Sequence, residues 1–418
     1  MNRAESSTTA ERDRRSPRYV RLKSTAQLHK LMTRYYAYAR YMPRLGKKIA
    51  WITSGGPVEP LYAAGIIPVY PENHGAICGA SRMGPKLAEQ AEAMGYSRDV
   101  CSYARCDIAC AINGGGPIGG LPRPDLLVCC NNICGTVTKW YEVLARHFKV
   151  PMVLIDTPYL HDGELTDHAL RYVRAQFDDL IVAIENVTRR SFSERRLQKR
   201  ARLSIECIEA WKRVLGYCEH RPSPISCFDA FAHMFPIVTL RGTKWAIRYY
   251  RQLEAEIARR VEDGFGAVPE ERYRLLWDNI PIWYDIRGLF KQLAARGACL
   301  VADTYTNAWT MDRLDQERTL DSMADVYTSI FLNIGIRRRF EQTAKLARRF
   351  NVDGVLIHSN RSCKPYSFGQ LDIQRWIRQE LGIPALLIEA DMTDSRSYSR
   401  EQVKARLDAF LETLEASA

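Results

Sequence analysis

The segment DLLVCCNNICGTVTKWYE, residues 125–142, joins a short apolar run to a polar loop and then to a helical pattern. Short apolar runs that end at Asn, Gly or Pro are typical of buried strands. Cys134 follows such a run, and the loops at the carboxyl ends of parallel strands are where α/β folds bind ligands. The segment therefore predicts a buried strand with a candidate ligand residue just beyond its end.

Three further apolar runs flank this segment: KKIAWITS, IIPVYP and VPMVLID. Helix-length segments separate the runs, which is typical of a parallel sheet with crossover helices. We expect a first α/β domain over residues 46–160. A helical and basic N-terminal extension is expected before it, over residues 1–45.

Residues 161–270 carry apolar positions three and four apart, which predicts a helical connector. Strand-like runs then return in RLLWDNIP, ACLVADTY, VDGVLIHS and PALLIEAD. A long helix is expected from about Asp321 to Phe350, and a closing helix from Arg400 to Leu414. The predicted fold class is α/β, with two doubly wound parallel-sheet domains of Rossmann or flavodoxin type, the second over residues 271–418.

The composition, 46% hydrophobic and 26% charged over 418 residues, is that of a globular chain with more than one domain. No apolar run reaches the roughly 18 residues that a membrane helix needs. The first residues lack the apolar centre of a signal peptide. The expected location is therefore the cytoplasm, with no membrane partner.

A formal charge of +12 raises the question of nucleic-acid binding, because clustered Lys and Arg displace phosphate counterions. Here the basic residues interleave with acidic and apolar ones, as they do on solvated helix faces. We expect no nucleic-acid partner. A basic surface also suits the phosphates of CoA or an acidic electron-delivering protein.

The chain has twelve cysteines, and seven of them fall between Cys78 and Cys134. Because cytosolic thiols stay reduced, this density favours metal or redox chemistry over disulfides. The spacings match neither a zinc ribbon nor a ferredoxin, so they identify no cluster type.

Two strand-end cysteines, Cys134 and Cys363, could meet with Cys101 on one ion or cluster if the two sheets face each other. The alternative is that the thiols are small core hydrophobes, since free Cys is often buried. That alternative stays open for Cys134 and Cys363. It is favoured for four cysteines on apolar runs: Cys129, Cys207, Cys218 and Cys299.

Four blocks resemble one known family: CSYAR, NNICGTVTKWYE, RSC and IEADMTDSRSYS. In this order they are similar to the cluster-binding subunits of ATP-dependent benzoyl-CoA reductase and of 2-hydroxyacyl-CoA dehydratases. The likeness runs from about Ala50 to the C-terminus. It implies a [4Fe-4S] cluster held by Cys101, Cys134 and Cys363. The stretch AWITSGGPVEPLYAAGIIPVYPENHGA resembles the reductase branch more than the dehydratase branch.

The resemblance implies an oxidoreductase subunit that passes a low-potential electron to an aryl-CoA thioester and dearomatises it through radicals. It also implies two protein partners: a related second cluster-binding subunit, making a heterodimer, and an activator with its own iron-sulfur cluster. The glycine-rich stretches here lack the form of a P-loop, so ATP hydrolysis is assigned to the activator.

Three alternatives stay open at this point. The first is a 2-hydroxyacyl-CoA dehydratase subunit, a lyase that uses the same cluster to eliminate water from an acyl-CoA. The second is a cluster-bearing scaffold without a substrate. The third is a zinc-binding or metal-free protein whose cysteines are structural.

By the same resemblance, the catalytic pocket contains Ser54 and Glu72. A hydroxyl can donate to a thioester carbonyl, and a carboxylic acid beside an apolar pocket can have a raised pKa and transfer protons. His74 is a second candidate proton donor, although a single histidine is more often structural. The family pattern gives no role to Cys106, Cys110 or Cys130, which either tune the cluster, belong to a double-cubane cluster or have no function.

Overall fold

The structure is a computed structural model that describes residues 20–161 and 164–417. Residues 1–19, which belong to the predicted N-terminal extension, lie outside the described residues. The remainder of that extension forms helix α1, Ser24–Tyr41. None of the helices in the described part of the chain is long and apolar enough to cross a membrane.

The predicted first sheet is present, and all its strand pairs are parallel. Its strands, in the spatial order β2-β1-β3-β4, are β1 (Ile49–Ile52), β2 (Ile67–Val69), β3 (Leu126–Cys130) and β4 (Met152–Ile155). Strands β1 and β3 are buried along their whole length, as their unbroken apolar runs predict. The helices that connect these strands are α2 (Glu59–Ala64), α3 (Pro71–Ala80), α4 (Gly84–Ala93), α5 (Ser102–Asn113) and α6 (Gly135–Phe148).

The region between the sheets is helical, as its periodicity predicts. It contains α7 (Asp167–Thr188), α8 (Glu194–Gly216), α9 (Cys227–His233), α10 (Phe235–Thr239) and α11 (Lys244–Glu262). These helices do more than connect. Trp211 of α8 and Tyr250 of α11 lie in the same apolar core as Leu276 and Leu356 of the second sheet. The helical region and the second sheet therefore form one packed unit.

The second sheet is also parallel, with the order β6-β5-β7-β8. Its strands are β5 (Tyr273–Asp278), β6 (Ala298–Asp303), β7 (Gly354–Asn360) and β8 (Ala385–Ala390). The helices of this half are α12 (Ile286–Ala294), α13 (Thr304–Asn307), α14 (Thr319–Thr328), α15 (Ile336–Arg349), α16 (Lys364–Ser367), α17 (Gln370–Trp376) and α18 (Arg400–Ser417). Both sheets thus agree with the predicted two-sheet α/β class.

The single long helix expected from about Asp321 to Phe350 is wrong. Helices α14 and α15 replace it, with a short break between them. In the break, Leu160 donates its backbone N–H to the Asn333 carbonyl at 2.9 Å and accepts the Gly335 N–H at 2.9 Å. A Cβ atom on Gly335 would lie 1.9 Å from the His161 carbonyl oxygen, so glycine is required there. This pairing with a distant segment leaves no periodic signal in the sequence.

A buried ionic network joins the three parts of the chain. Glu59, at the start of α2, accepts hydrogen bonds from Arg241 Nε at 3.2 Å and Tyr327 Oη at 2.7 Å. Ser204 of α8 donates a further bond of 2.7 Å to the same carboxylate. Glu59 and Arg241 are almost completely buried. A buried ion pair with its hydrogen bonds satisfied is tolerated, whereas one that loses a partner is costly.

We predict that Glu59→Gln lowers the free energy of unfolding by about 3–5 kcal/mol, because it leaves the Arg241 charge buried and uncompensated. Denaturant unfolding of the purified chain measures this loss. The matched control is Glu389→Gln, which breaks an exposed pair with Arg361 and should cost less than about 1 kcal/mol. Equal losses in the two variants would show that the buried network does not hold the three parts together.

Candidate functional site

A cavity of about 150 Å³ lies where the carboxyl edges of the two sheets meet. Seven of the eight described strands contribute a lining residue from the loop that follows them: Ser54, Glu72, Cys134, Ile280, Tyr305, Cys363 and Met392. This is the place that the rule for parallel sheets predicts for ligand binding. Here two such edges face each other, so the cavity is closed from both sides.

Three predicted ligands, Cys101, Cys134 and Cys363, all line this cavity. Each immediately precedes a helix, namely α5, α6 and α16. Burial raises the pKa of all three thiols, that of Cys363 to about 12. The backbone amides that follow each cysteine oppose this rise, because they point towards the sulfur.

Contacts between the two halves of the chain bring Cys101 and Cys363 together. Ser102 donates its backbone N–H to Ser362 Oγ at 3.1 Å, and the Ser362 hydroxyl also binds the Asp391 carboxylate. These two serines are the direct neighbours of the two cysteines in the sequence. A cysteine pair 262 residues apart in sequence is therefore fixed by hydrogen bonds next to it.

The donor set fits an iron-sulfur cluster. The neighbouring Cys363 and Cys134 sulfurs each raise the pKa of Cys101, in addition to the larger effect of burial. Three thiols that crowd one another in a buried site become favourable as thiolates only when a metal cation compensates their charge. Three cysteine ligands also leave one coordination position of a four-iron cluster open to the cavity.

Glu72 brings a carboxyl group to the same cavity, from the first turn of α3. Its Oε1 accepts the Ser54 backbone N–H at 3.1 Å. Its Oε2 has no hydrogen-bond partner among the described residues. Burial raises the pKa of Glu72 from the ordinary 4.5 to about 7. At neutral pH this group can therefore both give and take a proton.

A second, wider cavity of about 670 Å³ adjoins the first. Both cavities share Ser54, Glu72, Tyr305 and Trp309, so these four side chains lie between them. The residues that line the wider cavity also include exposed basic side chains: Arg21, His29, Arg287 and Lys291. The arrangement gives the small apolar cavity a larger neighbour with positive charge.

His74 lies away from this site. Among the described residues, those that line the small cavity include Glu72 but not His74, which is fully buried beside Asp107. Cys130 is also buried, in β3, with its backbone N–H bonded to Thr53 Oγ1 at 2.9 Å. The cysteines expected in the core are buried there: Cys129, Cys207, Cys218 and Cys299.

Sequence reasoning missed most of the cavity wall. The wall is aromatic: Tyr103, Trp140, Tyr305, Trp309, Phe331 and Tyr366. Tyr305 follows β6 directly, so the strand-end rule that found Cys363 would also have found it. Arg241 lines the cavity from the helical region, and its position there depends entirely on tertiary packing.

Residues 53–414 match the model of one protein family, described as 2-hydroxyglutaryl-CoA dehydratase, D-component. The chain belongs to this family. The match covers both sheets, the helical region and every cysteine that lines the cavity. The family resemblance found in the sequence is thereby confirmed.

Several relatives of this dehydratase-family chain carry functional names. The (R)-phenyllactyl-CoA dehydratase alpha subunit of Clostridium sporogenes is 33% identical over 372 residues, 89% of this chain and 90% of that protein. The (R)-2-hydroxyisocaproyl-CoA dehydratase alpha subunit of Clostridioides difficile is 32% identical and covers 93% and 95%. A benzoyl-CoA reductase subunit of Thauera aromatica is 30% identical and covers 88% and 89%. These identities favour the dehydratase branch over the reductase branch that the sequence blocks indicated.

We predict that Glu72 makes the stability of the cluster-free chain depend on pH. Between pH 4.5 and 7 the folded chain keeps a proton on Glu72 that the unfolded chain has released, so stability falls as pH rises. Glu72→Gln removes this effect. Its unfolding free energy should gain about 3 kcal/mol on that of the unaltered chain between pH 4.5 and 8.

Unfolding curves across this pH range measure the difference. Glu389→Gln, at an exposed carboxylate, is the control and should follow the unaltered chain at every pH. A Glu72→Gln curve parallel to that of the unaltered chain would show that the Glu72 pKa is not raised.

Proposed function

We propose that the chain is the cluster-bearing, substrate-binding subunit of a 2-hydroxyacyl-CoA dehydratase, which eliminates water from a CoA thioester. One observation carries the proposal: three thiols and a carboxyl group of raised pKa, from both sheets, converge on one closed aromatic cavity. The two relatives of 33% and 32% identity, both named as dehydratase alpha subunits, support it.

Cys101, Cys134 and Cys363 are the proposed ligands of a [4Fe-4S] cluster. When bound, such a cluster supplies low-potential electron transfer to the thioester. The chain's part is to hold the three thiolates and to keep water away from them. The aromatic wall does the second, since large buried rings leave little room for solvent.

Glu72 and Ser54 are the proposed groups for proton transfer and for binding the substrate. Loss of water from a 2-hydroxyacyl group removes a hydroxide and a proton from neighbouring carbons, so a group that both accepts and returns a proton is needed. Glu72, with a pKa of about 7, is suited to this role. The Ser54 hydroxyl, between the two cavities, can donate to the thioester oxygen as it gains charge.

The small cavity favours an apolar acyl group. Its described lining residues include one positive side chain, Arg241, and that guanidinium is already paired with Glu59. A carboxylate at the far end of the acyl chain would find no free cation there and would lose its hydration. Phenyl or branched alkyl groups match the rings around the cavity.

The wider cavity is the proposed site of the CoA moiety. Its exposed Arg21, Arg287 and Lys291 can neutralise the phosphates of CoA. Two partners complete the proposed enzyme: a related second subunit, and an ATP-hydrolysing activator with its own iron-sulfur cluster. The names of the dehydratase relatives, as alpha subunits, support the first of these.

A reductase subunit is the second candidate. The aromatic cavity wall suits an aryl-CoA, and the Thauera aromatica relative is named as a subunit of benzoyl-CoA reductase. Both candidates use the same cluster ligands, so they differ in the fate of the electron. An elimination recovers the electron in each turnover, whereas a reduction consumes it.

We predict that the chain, purified without oxygen, contains about four irons with matching acid-labile sulfide. Cys101→Ala, Cys134→Ala and Cys363→Ala should each lose most of this iron, because two thiolates do not retain the cluster. The matched control is Cys299→Ala, a buried cysteine in β6, which should keep its iron. A full complement of iron in any of the three cavity variants would refute the ligand assignment.

We predict that the complex with its activator and second subunit needs only a catalytic amount of ATP and reductant to convert many equivalents of substrate. The assay compares a 2-hydroxyacyl-CoA that bears a phenyl group with one that bears a carboxylate, and the phenyl substrate should turn over faster. Consumption of reductant in proportion to product, with an aryl-CoA as substrate, would establish the reductase instead.

A further inference from the structure

A second group of cysteines lies outside the cavity, between helices α3 and α5. His74 and Cys78 are four residues apart on α3, and Cys106 and Cys110 are four apart on α5. Residues spaced by four lie on the same face of a helix. The two faces meet here, and the ligand atoms of His74, Cys78 and Cys110 all lie within 4.8 Å of one another.

The sulfur of Cys106 belongs to the same group. It lies beside Cys78 and raises the pKa of the Cys78 thiol, as Cys110 does. In turn, the Cys78 thiol donates to the Cys110 sulfur and lowers the pKa of Cys110. All three thiols are buried. Leu87, Ala91 and Ala109 pack around them, so their charge has no access to water.

The ring of His74 is fully buried, and neither of its nitrogens has a hydrogen-bond partner in the described part of the chain. Asp107 Oδ1 lies 3.7 Å from Nδ1, and Asp107 Oδ2 accepts the Trp140 Nε1–H at 3.0 Å. A carboxylate behind one ring nitrogen is the usual support for a histidine whose other nitrogen binds a metal. The position of Asp107 leaves Nε2 free for that purpose.

The glycine-rich loop after α5 closes the group from outside. Gly116 has a φ of +91°, and a Cβ atom there would lie 2.6 Å from Cys110 Sγ. The same Cβ would lie 3.6 Å from Cε1 of His74. Only glycine allows the backbone this close to the two side chains. The loop therefore acts as a cover over the group.

We propose that His74, Cys78, Cys106 and Cys110 bind a single structural Zn²⁺ ion. Three thiolates and one imidazole with no open position are a common structural zinc donor set. With Zn–S bonds of about 2.3 Å, tetrahedral ligand atoms lie about 3.7 Å apart. The observed spacing within 4.8 Å fits one such ion, whereas a four-iron cubane holds its ligands further apart.

The ion would connect the two helices that carry the candidate catalytic site. Helix α3 has Glu72 in its first turn, and α5 follows directly after Cys101. A metal bond between His74 and Cys110 therefore fixes the carboxyl group relative to a cluster ligand. The zinc site does not depend on which reaction the cavity performs.

The test measures zinc and iron together in protein purified without oxygen from zinc-supplemented cells. We expect about one zinc per chain in the unaltered protein and in Cys134→Ala, which has lost its iron. Cys78→Ser and Cys110→Ser should lose the zinc, while the control Cys299→Ser keeps it. Cys106→Ser should bind zinc at least tenfold more weakly, because three ligands remain.

Two outcomes would overturn the proposal. One is a folded chain without zinc, or with zinc that Cys110→Ser retains. The other is iron beyond the first cluster that disappears in Cys110→Ser, which would establish a second iron-sulfur site.

If the serine variants do not fold, cobalt titration of Cys134→Ala replaces them. We expect the intense ultraviolet absorption of cobalt-thiolate bonds and the visible bands of tetrahedral Co²⁺, at one equivalent per chain. Visible bands of octahedral Co²⁺ without thiolate absorption would refute the site.

Discussion

The structure depends on a buried carboxylate, Glu59, that joins the first sheet to the helical region and to helix α14. Arg241 and Tyr327 satisfy this carboxylate from two other parts of the chain. An unpaired charge at such a depth would be strongly unfavourable, so the three parts have one acceptable arrangement relative to each other. That arrangement sets the two sheet edges face to face and creates the cavity between them.

Removal from water explains the chemistry of both candidate sites. Burial raises the pKa of Glu72 and of the three cavity thiols because it disfavours their charged forms. A carboxyl group responds by keeping its proton near neutral pH. Thiols respond differently, because a bound cation can replace their protons. One apolar environment thus prepares a proton carrier and a metal site side by side.

Helix α5 has a central position in this organisation. Its N-terminus follows Cys101, its next turns carry Arg105 and Cys106, and Cys110 lies near its end. Arg105 binds Glu92 at 2.5 Å and Asp394 at 3.2 Å, which ties the helix to the second half of the chain. The helix therefore transmits the packing of both halves to the cluster ligands.

The sequence by itself determined the fold class and much of the cavity. Unbroken apolar runs such as LLVCC can form only buried strands, and parallel strands place their carboxyl ends at one edge, so Cys134 and Cys363 were predictable from local pattern alone. The family blocks added Cys101, Ser54 and Glu72. Local patterns also fixed the helical region, because its apolar positions recur every three to four residues.

Only the tertiary structure decided which of these residues meet. Arg241 reaches the cavity, and His74 is turned towards Cys78 and Cys110 instead, because of packing between segments far apart in sequence. The break between α14 and α15 has the same origin, since it follows from backbone pairing with Leu160. Such contacts leave no periodic trace in the chain, because each partner alone is compatible with many neighbours. The physical reason is that periodicity records which face of an element is buried, but not what that face is buried against.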